Sequence, residues 1–218
     1  MLPVNEIFDT LQGEATWTGT PSTFVRMQFC DVGCPWCDTK HTWPVDPSAE
    51  ISAEEMLSKA ADKPTYAKFP VDVLASLLID RVPRHVVITG GEPCYYDLTM
   101  LTRQIHHSGK SVQIETSGTR EIRCHPATWV TVSPKYAMPG GLIVLDSALN
   151  RADEIKMPVG KPKDVERVVA LRNRLRGEVT FWLQPLSQSE KATELCIEAA
   201  TMHGFKVSIQ THKFLGLR

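Results

Sequence analysis

The chain has 218 residues, with 24 Lys and Arg against 25 Asp and Glu for a net charge of −1, and 42% of its residues are hydrophobic. That length suits one domain, and that balance excludes both a disordered polyelectrolyte and a basic protein that binds nucleic acid non-specifically. No apolar run approaches the roughly 18 residues of a membrane-spanning helix, and Met1–Glu6 lacks the basic start and apolar stretch of a secretory signal. The expectation is a cytoplasmic protein that partners neither membrane nor nucleic acid.

In chain order, Thr23–Met27 reads as a first strand leading into a group of cysteines. Ser52-x-x-Glu55 is a capping box opening a helix through about Ala61. Apolar spacing near the helical period covers Val71 to Arg81, and His85–Thr89 is a strand stopped by Gly90-Gly91. A helix over about Asp97–His107 precedes strands at Ser111–Glu115 and Trp129–Val132. Strands at Glu154–Met157, Val179–Leu183 and Lys206–Gln210 alternate with helices at Lys163–Leu175 and Ser189–His203. Strands separated by helices imply parallel pairing with right-handed crossovers. About seven strands fit a truncated, partial parallel β/α barrel better than a complete eightfold one, which takes about 250 residues. The expected organisation is one domain over 1–218 with a less regular insertion at about 43–70. Polar or glycine-rich clusters follow four of the strands, at 89–93, 115–118, 133–135 and 184–187. Each alone is a turn; together they can form one active-site rim, because ligands bind at the carboxyl edge of parallel strands.

Cys30, Cys34 and Cys37 have the spacing C-x3-C-x2-C, short enough for three thiolates to converge on one inorganic centre. A four-iron cluster normally takes four cysteines, so three leave one iron open for catalysis. The alternative is a closed, structural zinc site completed by His41. Iron–sulfur is favoured because no second, distant ligand pair exists and the group follows a strand of an α/β chain. Cys94, Cys124 and Cys196 are scattered and read as apolar filler.

The cysteine spacing, followed some fifty residues later by a strand ending in Gly90-Gly91-Glu92-Pro93, resembles the radical S-adenosylmethionine (SAM) enzymes. The resemblance implies a [4Fe-4S] cluster on Cys30, Cys34 and Cys37, and a 5′-deoxyadenosyl radical drawn from SAM. Further segments narrow it: Asn5–Phe8, Leu11–Glu14, Cys37–Trp43, Glu115–Gly118 and Gln210–Lys213 are similar to 7-carboxy-7-deazaguanine synthases, and the similarity covers nearly the whole chain.

That resemblance implies a lyase that uses SAM catalytically and Mg2+ to convert 6-carboxy-5,6,7,8-tetrahydropterin into 7-carboxy-7-deazaguanine with loss of ammonia, on the route to queuosine. It implies a homodimer served by an electron donor such as flavodoxin or ferredoxin. By position, Leu11, Gln12, Gly13, Glu14, Arg26 and Thr89 are expected to hold the pterin. Arg26 would offer its fork to the carboxylate, and Gln12 its amide to the ring edge. Gly91, Glu115, Ser117, Ser133, Pro134, Lys135, Gln184, Pro185, Leu186 and Ser187 are expected to hold SAM. Thr39 is expected to ligate Mg2+, with Asp38 as the alternative. No protein residue is assigned the chemistry, which the SAM-derived radical carries. His212 and Lys213 either close over the substrate or form a solvated tail.

Ala15 and Phe29 stand where glycine is expected, and no adenine-contacting motif is evident over 140–160. Two other functions are weighed: an activase that places a glycyl radical on a partner protein, and a structural zinc module. The Leu11–Glu14 segment and Arg26 favour a small-molecule pocket over the first, and near-neutral charge disfavours the second.

Overall fold

The computed structural model describes residues 1–59, 63–175 and 177–217. Among them nine strands form one sheet in the order β3-β1-β2-β4-β5-β6-β7-β8-β9. Seven strands match the expected ones: β2 (Pro21–Met27), β4 (His85–Gly90), β5 (Ser111–Thr116), β6 (Trp129–Val132), β7 (Glu154–Val159), β8 (Thr180–Pro185) and β9 (Lys206–Val207). From β2 to β9 every neighbour pairs in parallel. Two strands were not read from the sequence. β1 (Leu2–Leu11) pairs antiparallel with β2, and β3 (Ala67–Phe69) pairs antiparallel with β1 at the sheet's edge. Thr23–Met27 is therefore the second strand. The less patterned stretch 43–70 supplies this edge strand and the short helix α1 (Ala53–Leu57), opened by the Ser52/Glu55 capping box. The expected end of that helix, Ala61, lies outside the described residues. The last strand stops at Val207 rather than Gln210.

Helices α2 (Val71–Ile79), α3 (Thr99–His107), α4 (Asp146–Arg151), α5 (Pro162–Arg174) and α6 (Glu190–His203) follow or separate the strands, and α7 (Thr211–Phe214) ends the succession. Alternation along each strand sends one set of side chains to each face. The outer set is apolar. Val25, Met27, Ile88 and Ile114 meet Leu74, Leu78, Leu101 and Ile105 in one cluster, and Ile155, Leu183, Val168 and Cys196 belong to the other. Removing such a side chain, as in Leu74→Ala, costs about 2–5 kcal/mol. Cys94 and Cys196 are buried in these clusters and Cys124 is partly buried against both.

The inner set is polar: Glu6, Arg26, Gln113, Glu115, Thr131, Glu154, Lys156 and Gln184. On β1 the change of face depends on a register shift between Val4 and Glu6. It keeps Val4 and Ile7 in the apolar cluster while Glu6 turns inward, the re-aiming that a bulge performs.

The segment after β1 runs across the hollow of this inner face. Trp17 stacks on His85 at 4.4 Å and meets Trp129 edge-on at 5.8 Å. Gln12 reaches Gln113, Thr16 reaches Glu154, and the Ala15 amide donates to Ser208 Oγ at 2.9 Å. One short segment touches the inner faces of β4, β5, β6 and β7 and the residue beyond β9, so the sheet must curl around it. The expected partial barrel is thus a curled open sheet with β3 and β9 as its edges and residues 12–17 as its floor.

Candidate active site

The hollow above this floor is a cavity of about 510 Å3. Every residue expected from the sequence to bind cofactor, metal or substrate lines it except Pro134. His212 and Lys213 line it too, so the segment after β9 closes on the site: the Thr211 amide donates to the Gly13 carbonyl at 3.0 Å.

The cysteine loop is fixed from both sides. The Phe29 amide donates to the Thr42 carbonyl at 2.7 Å and the Cys30 amide to the Trp43 carbonyl at 3.2 Å. The Glu92 amide donates to the Phe29 carbonyl at 2.8 Å. Gly33 has φ +74°, the left-handed conformation that glycine adopts without steric cost. Gly140 packs below, its amide donating to the Val32 carbonyl at 3.1 Å. The two departures from expected glycine, Ala15 and Phe29, are both left-handed, with φ of +54° and +84°. Glycine would sit there unstrained; the chain carries side chains instead.

Burial pushes the Cys30 thiol up to about 12, against a backbone hydrogen bond from Val32. Burial also raises Cys34, against the nearby charge of Lys135. Such thiols become ligands when a metal takes the proton's place. A single zinc ion needs its donors at about 2.0–2.3 Å from one point. Among the described residues no three His, Cys, Asp or Glu side chains are placed to hold one ion, and His41 lies outside the cavity lining. Three thiols of one loop facing one cavity suit a cluster in which each thiolate takes its own iron.

Thr39 follows the loop at an N-cap position, yet its side chain makes no capping hydrogen bond; its Oγ1 lies 3.5 Å from Cys37 Sγ on the cavity wall. The hydroxyl is thus placed to meet a hard cation. Asp38 is more exposed and lies 3.9 Å from Lys213.

Glu92 is 1% exposed and, among the described residues, has no cationic hydrogen-bond partner. Its carboxylate accepts from the amides of Cys94 (3.0 Å) and Ser117 (2.9 Å) and from the hydroxyls of Thr116 (2.6 Å) and Ser117. It thereby ties the glycine-rich end of β4 to the end of β5. Arg26 is aimed by Glu6, whose Oε1 accepts from Nε at 2.5 Å, and by the Phe8 ring, 5.6 Å from the guanidinium carbon.

Gln12 differs from the expectation that its amide faces a ligand. Nε2 donates to Gln113 Oε1 at 3.0 Å, with Glu115 Oε1 at 3.5 Å, while its Oε1 accepts from the Glu14 amide at 3.1 Å. Both ends of the amide are thus bonded inside the protein, as are the Gln12 backbone amide and carbonyl, to Thr20 and Gly19. Gly13 has no room for a side chain, since a Cβ would stand 2.2 Å from His212 Nδ1.

The strongest electrostatic feature was not read from the sequence. Lys156 on β7 stands between Glu14 and Glu115, with Nζ 2.7 Å from Glu115 Oε2 and in contact with Glu14 Oε2. Glu14 Oε1 also accepts from Gln210 at 2.7 Å and Gln184 at 3.3 Å. Burial alone would raise Glu14, but the Lys156 charge and these bonds outweigh it and hold the carboxyl at about 2. Glu115 is pushed up to about 7 by burial and the charges of Glu14 and Glu154, against Lys156. Burial disfavours the charge on Lys156, but its two carboxylates overcome this and raise it. A charged pair at alternate positions of an inner strand, Glu154 and Lys156, is the sequence signal that marks this group. Glu115 consequently bonds Gln12 and shares Lys156 with Glu14, while Lys135 bonds the Ser133 hydroxyl through its Nζ.

No family model matches the chain. Among curated proteins it is similar to the 7-carboxy-7-deazaguanine synthase of Escherichia coli strain K12, 49% identical over 221 residues that cover 99% of this chain and 98% of that one. The synthases of Buchnera aphidicola and Synechocystis are 38% and 31% identical, each over 99% of this chain and over 99% and 93% of theirs. A crystal structure of QueE from Escherichia coli superposes with a TM-score of 0.92 at 47% identity, covering 96% of this chain and 93% of that one. At such identity over nearly the full length of both sequences, the chain belongs to the 7-carboxy-7-deazaguanine synthase family.

Proposed function

We infer that this radical SAM lyase converts 6-carboxy-5,6,7,8-tetrahydropterin to 7-carboxy-7-deazaguanine with release of ammonia. The observation that carries the inference is a single cavity lined both by the three cysteines and by the Leu11–Glu14, Arg26 and Thr89 groups, in a chain of this family. When bound on Cys30, Cys34 and Cys37, a [4Fe-4S] cluster together with SAM supplies a radical that takes hydrogen from the substrate.

The chain's own residues bind and orient. Arg26, already held by Glu6, offers its remaining guanidinium nitrogens to the substrate carboxylate in the planar geometry a carboxylate prefers. The Leu11–Gly13 segment and Thr89, which line the same cavity, take the pterin ring. Gly91, Ser133, Lys135 and the Gln184–Ser187 turn line the remaining wall, which suits the polar groups of SAM. Thr39 supplies one oxygen to Mg2+, an ion that keeps most of its shell from water and substrate. The curled sheet and the floor segment exclude bulk water from the reacting ring. The electron donor is a flavodoxin or ferredoxin, and the protein acts as a homodimer. Among the described residues no helix is long and apolar enough to cross a membrane.

The test is anaerobic reconstitution with iron and sulfide, followed by incubation with SAM, Mg2+, a low-potential reductant and the pterin. A deazapurine carboxylate and one ammonia per turnover are expected. Formation of 5′-deoxyadenosine without ammonia, or unchanged rates without any divalent cation, would overturn respectively the reaction and the role of Thr39.

A further inference from the structure

We propose that Glu115 is the proton shuttle of the ammonia-releasing step, taking a proton from ring carbon and delivering it to the departing amine. The proposal rests on the reaction inferred above and adds to it a protein group that does chemistry. Loss of ammonia across a carbon–carbon bond breaks one C–H and one C–N bond. The C–H electron pair becomes the new double bond, and the C–N pair leaves on nitrogen, which needs a proton. One carboxylate that accepts the first proton and returns it to nitrogen balances the step with no outside acid or base.

Glu115 is placed for that work. It lies on the inner face of β5 and lines the cavity beside the expected pterin segment, with its side chain 14% exposed. Its Oε1 accepts from Gln113 at 3.1 Å and Gln12 at 3.5 Å, while its Oε2 accepts from Lys156 at 2.7 Å, one donor where a carboxylate oxygen can take two. The ionisable groups around it come from several elements. Lys156 and Glu154 are on β7, Glu14 belongs to the floor, Lys135 follows β6, and His212 on α7 faces Glu14.

None of these serves as well. Glu14 accepts from Lys156, Gln184 and Gln210 and is a permanent anion at about 2. Lys156 is locked as a cation between two carboxylates. Glu154 is turned away, bonded to Trp182, Thr16 and Thr131. The environment therefore splits two carboxyls that share one lysine into a fixed counterion and a titrating group near neutrality, the arrangement that separates acid–base roles. A base that titrates at about 7 is matched to work at neutral pH.

The experiment uses the cluster-loaded full chain and substrate deuterated at the abstracted position. It follows deuterium transfer into SAM or 5′-deoxyadenosine alongside ammonia release, across pH. In Glu115→Gln, ammonia release should fall by about 10²–10⁴-fold while deuterium transfer continues. In the unaltered protein, ammonia per transfer should rise as pH increases through about 7, and Glu115→Gln should abolish that rise. A parallel loss of both signals in the variant would assign Glu115 to holding a ligand and overturn the proposal, as would loss of neither. Should the variant not fold, the unaltered protein decides: a ratio flat from pH 6 to 8 overturns the shuttle. Absence of ammonia from the unaltered protein at every pH would instead overturn the inferred reaction itself.

Discussion

The carbonyl oxygen of Phe29 occupies the space a side chain on Gly91 would need: a Cβ there would stand 2.0 Å from it. The two residues belong to different parts of the chain, the entry to the cysteine loop and the glycine-rich end of β4. Their backbones touch because one of them has no side chain.

Gly91→Ala therefore forces two backbones apart, which no rotamer change relieves. We expect destabilisation of about 3 kcal/mol, at the upper end of overpacking, and a cysteine loop that no longer accepts its cluster. Iron and sulfide content after reconstitution, read beside a urea midpoint, measures both. Gly19→Ala is the control. It has φ +86° but nothing within 4 Å of a Cβ, so it should lose only about 1–2 kcal/mol of backbone strain and keep full iron content.

Ala15→Gly should stabilise the protein. Its φ of +54° costs an L-residue about 1–2 kcal/mol, and glycine's extra freedom in the unfolded chain returns only part of that, leaving a gain of about 0.5–1 kcal/mol. Phe29→Gly relieves similar strain but removes a ring that packs edge-on against Tyr95 at 4.5 Å, so no net gain is expected. Equilibrium urea unfolding of the two variants side by side checks the contrast.

Glu92→Ala removes the shared acceptor of four buried donors, two of them backbone amides. Each buried donor left without a partner costs about 1–3 kcal/mol, so a loss of about 4 kcal/mol or more is expected, visible as a fall in melting temperature. Glu92→Gln keeps the shape but turns an NH2 group either toward the Cys94 and Thr116 donors or toward the two donors of Ser117. It should recover only part of the loss.

Lys156→Met leaves two carboxylates facing each other with no cation between them, a change expected to cost about 3–5 kcal/mol at neutral pH. Its pH dependence has a definite sign. Glu14 is held at about 2, below its ordinary 4.5, so the stability it contributes is present above pH 4.5 and is lost as pH falls towards 2. Glu115 is the reverse: raised to about 7, it binds a proton in the folded state that the unfolded chain has lost, so its term weakens stability as pH climbs from 4.5 to 7. Without Lys156 both carboxyls rise, and the stability maximum should move to more acid pH. Denaturant midpoints from pH 3 to 8 decide the matter.

The parallel strands were legible because their outer residues, such as Val86, Ile88, Val112 and Ile114, are β-branched and fully buried. β1 was not, because its first six residues are buried on both faces and include Asn5 and Glu6. A run without alternation that contains an amide and a carboxylate reads as a loop until its partners are seen. Asn5 bonds Gln28 and the carbonyls of Lys63 and Thr65, and Glu6 bonds Arg26. The cysteine group and the strand-end clusters were readable from spacing. The ion trio was not, since Glu14, Glu115 and Lys156 lie on three separate elements that only the curl of the sheet brings together. Gln12 was read as an offered amide because residue type does not tell where an amide's bonds go.

The floor segment also bears on how the polypeptide matures. Ala15 bonds Ser208 across 193 residues of sequence, and contacts so remote are made only after long loops close. A ribosome-bound chain can form the strands nearest its start early, but its chamber stays unsealed until the residues beyond β9 emerge. A chain that has not yet folded the Ser208–Thr211 segment onto this floor is thus unable to enclose a small molecule.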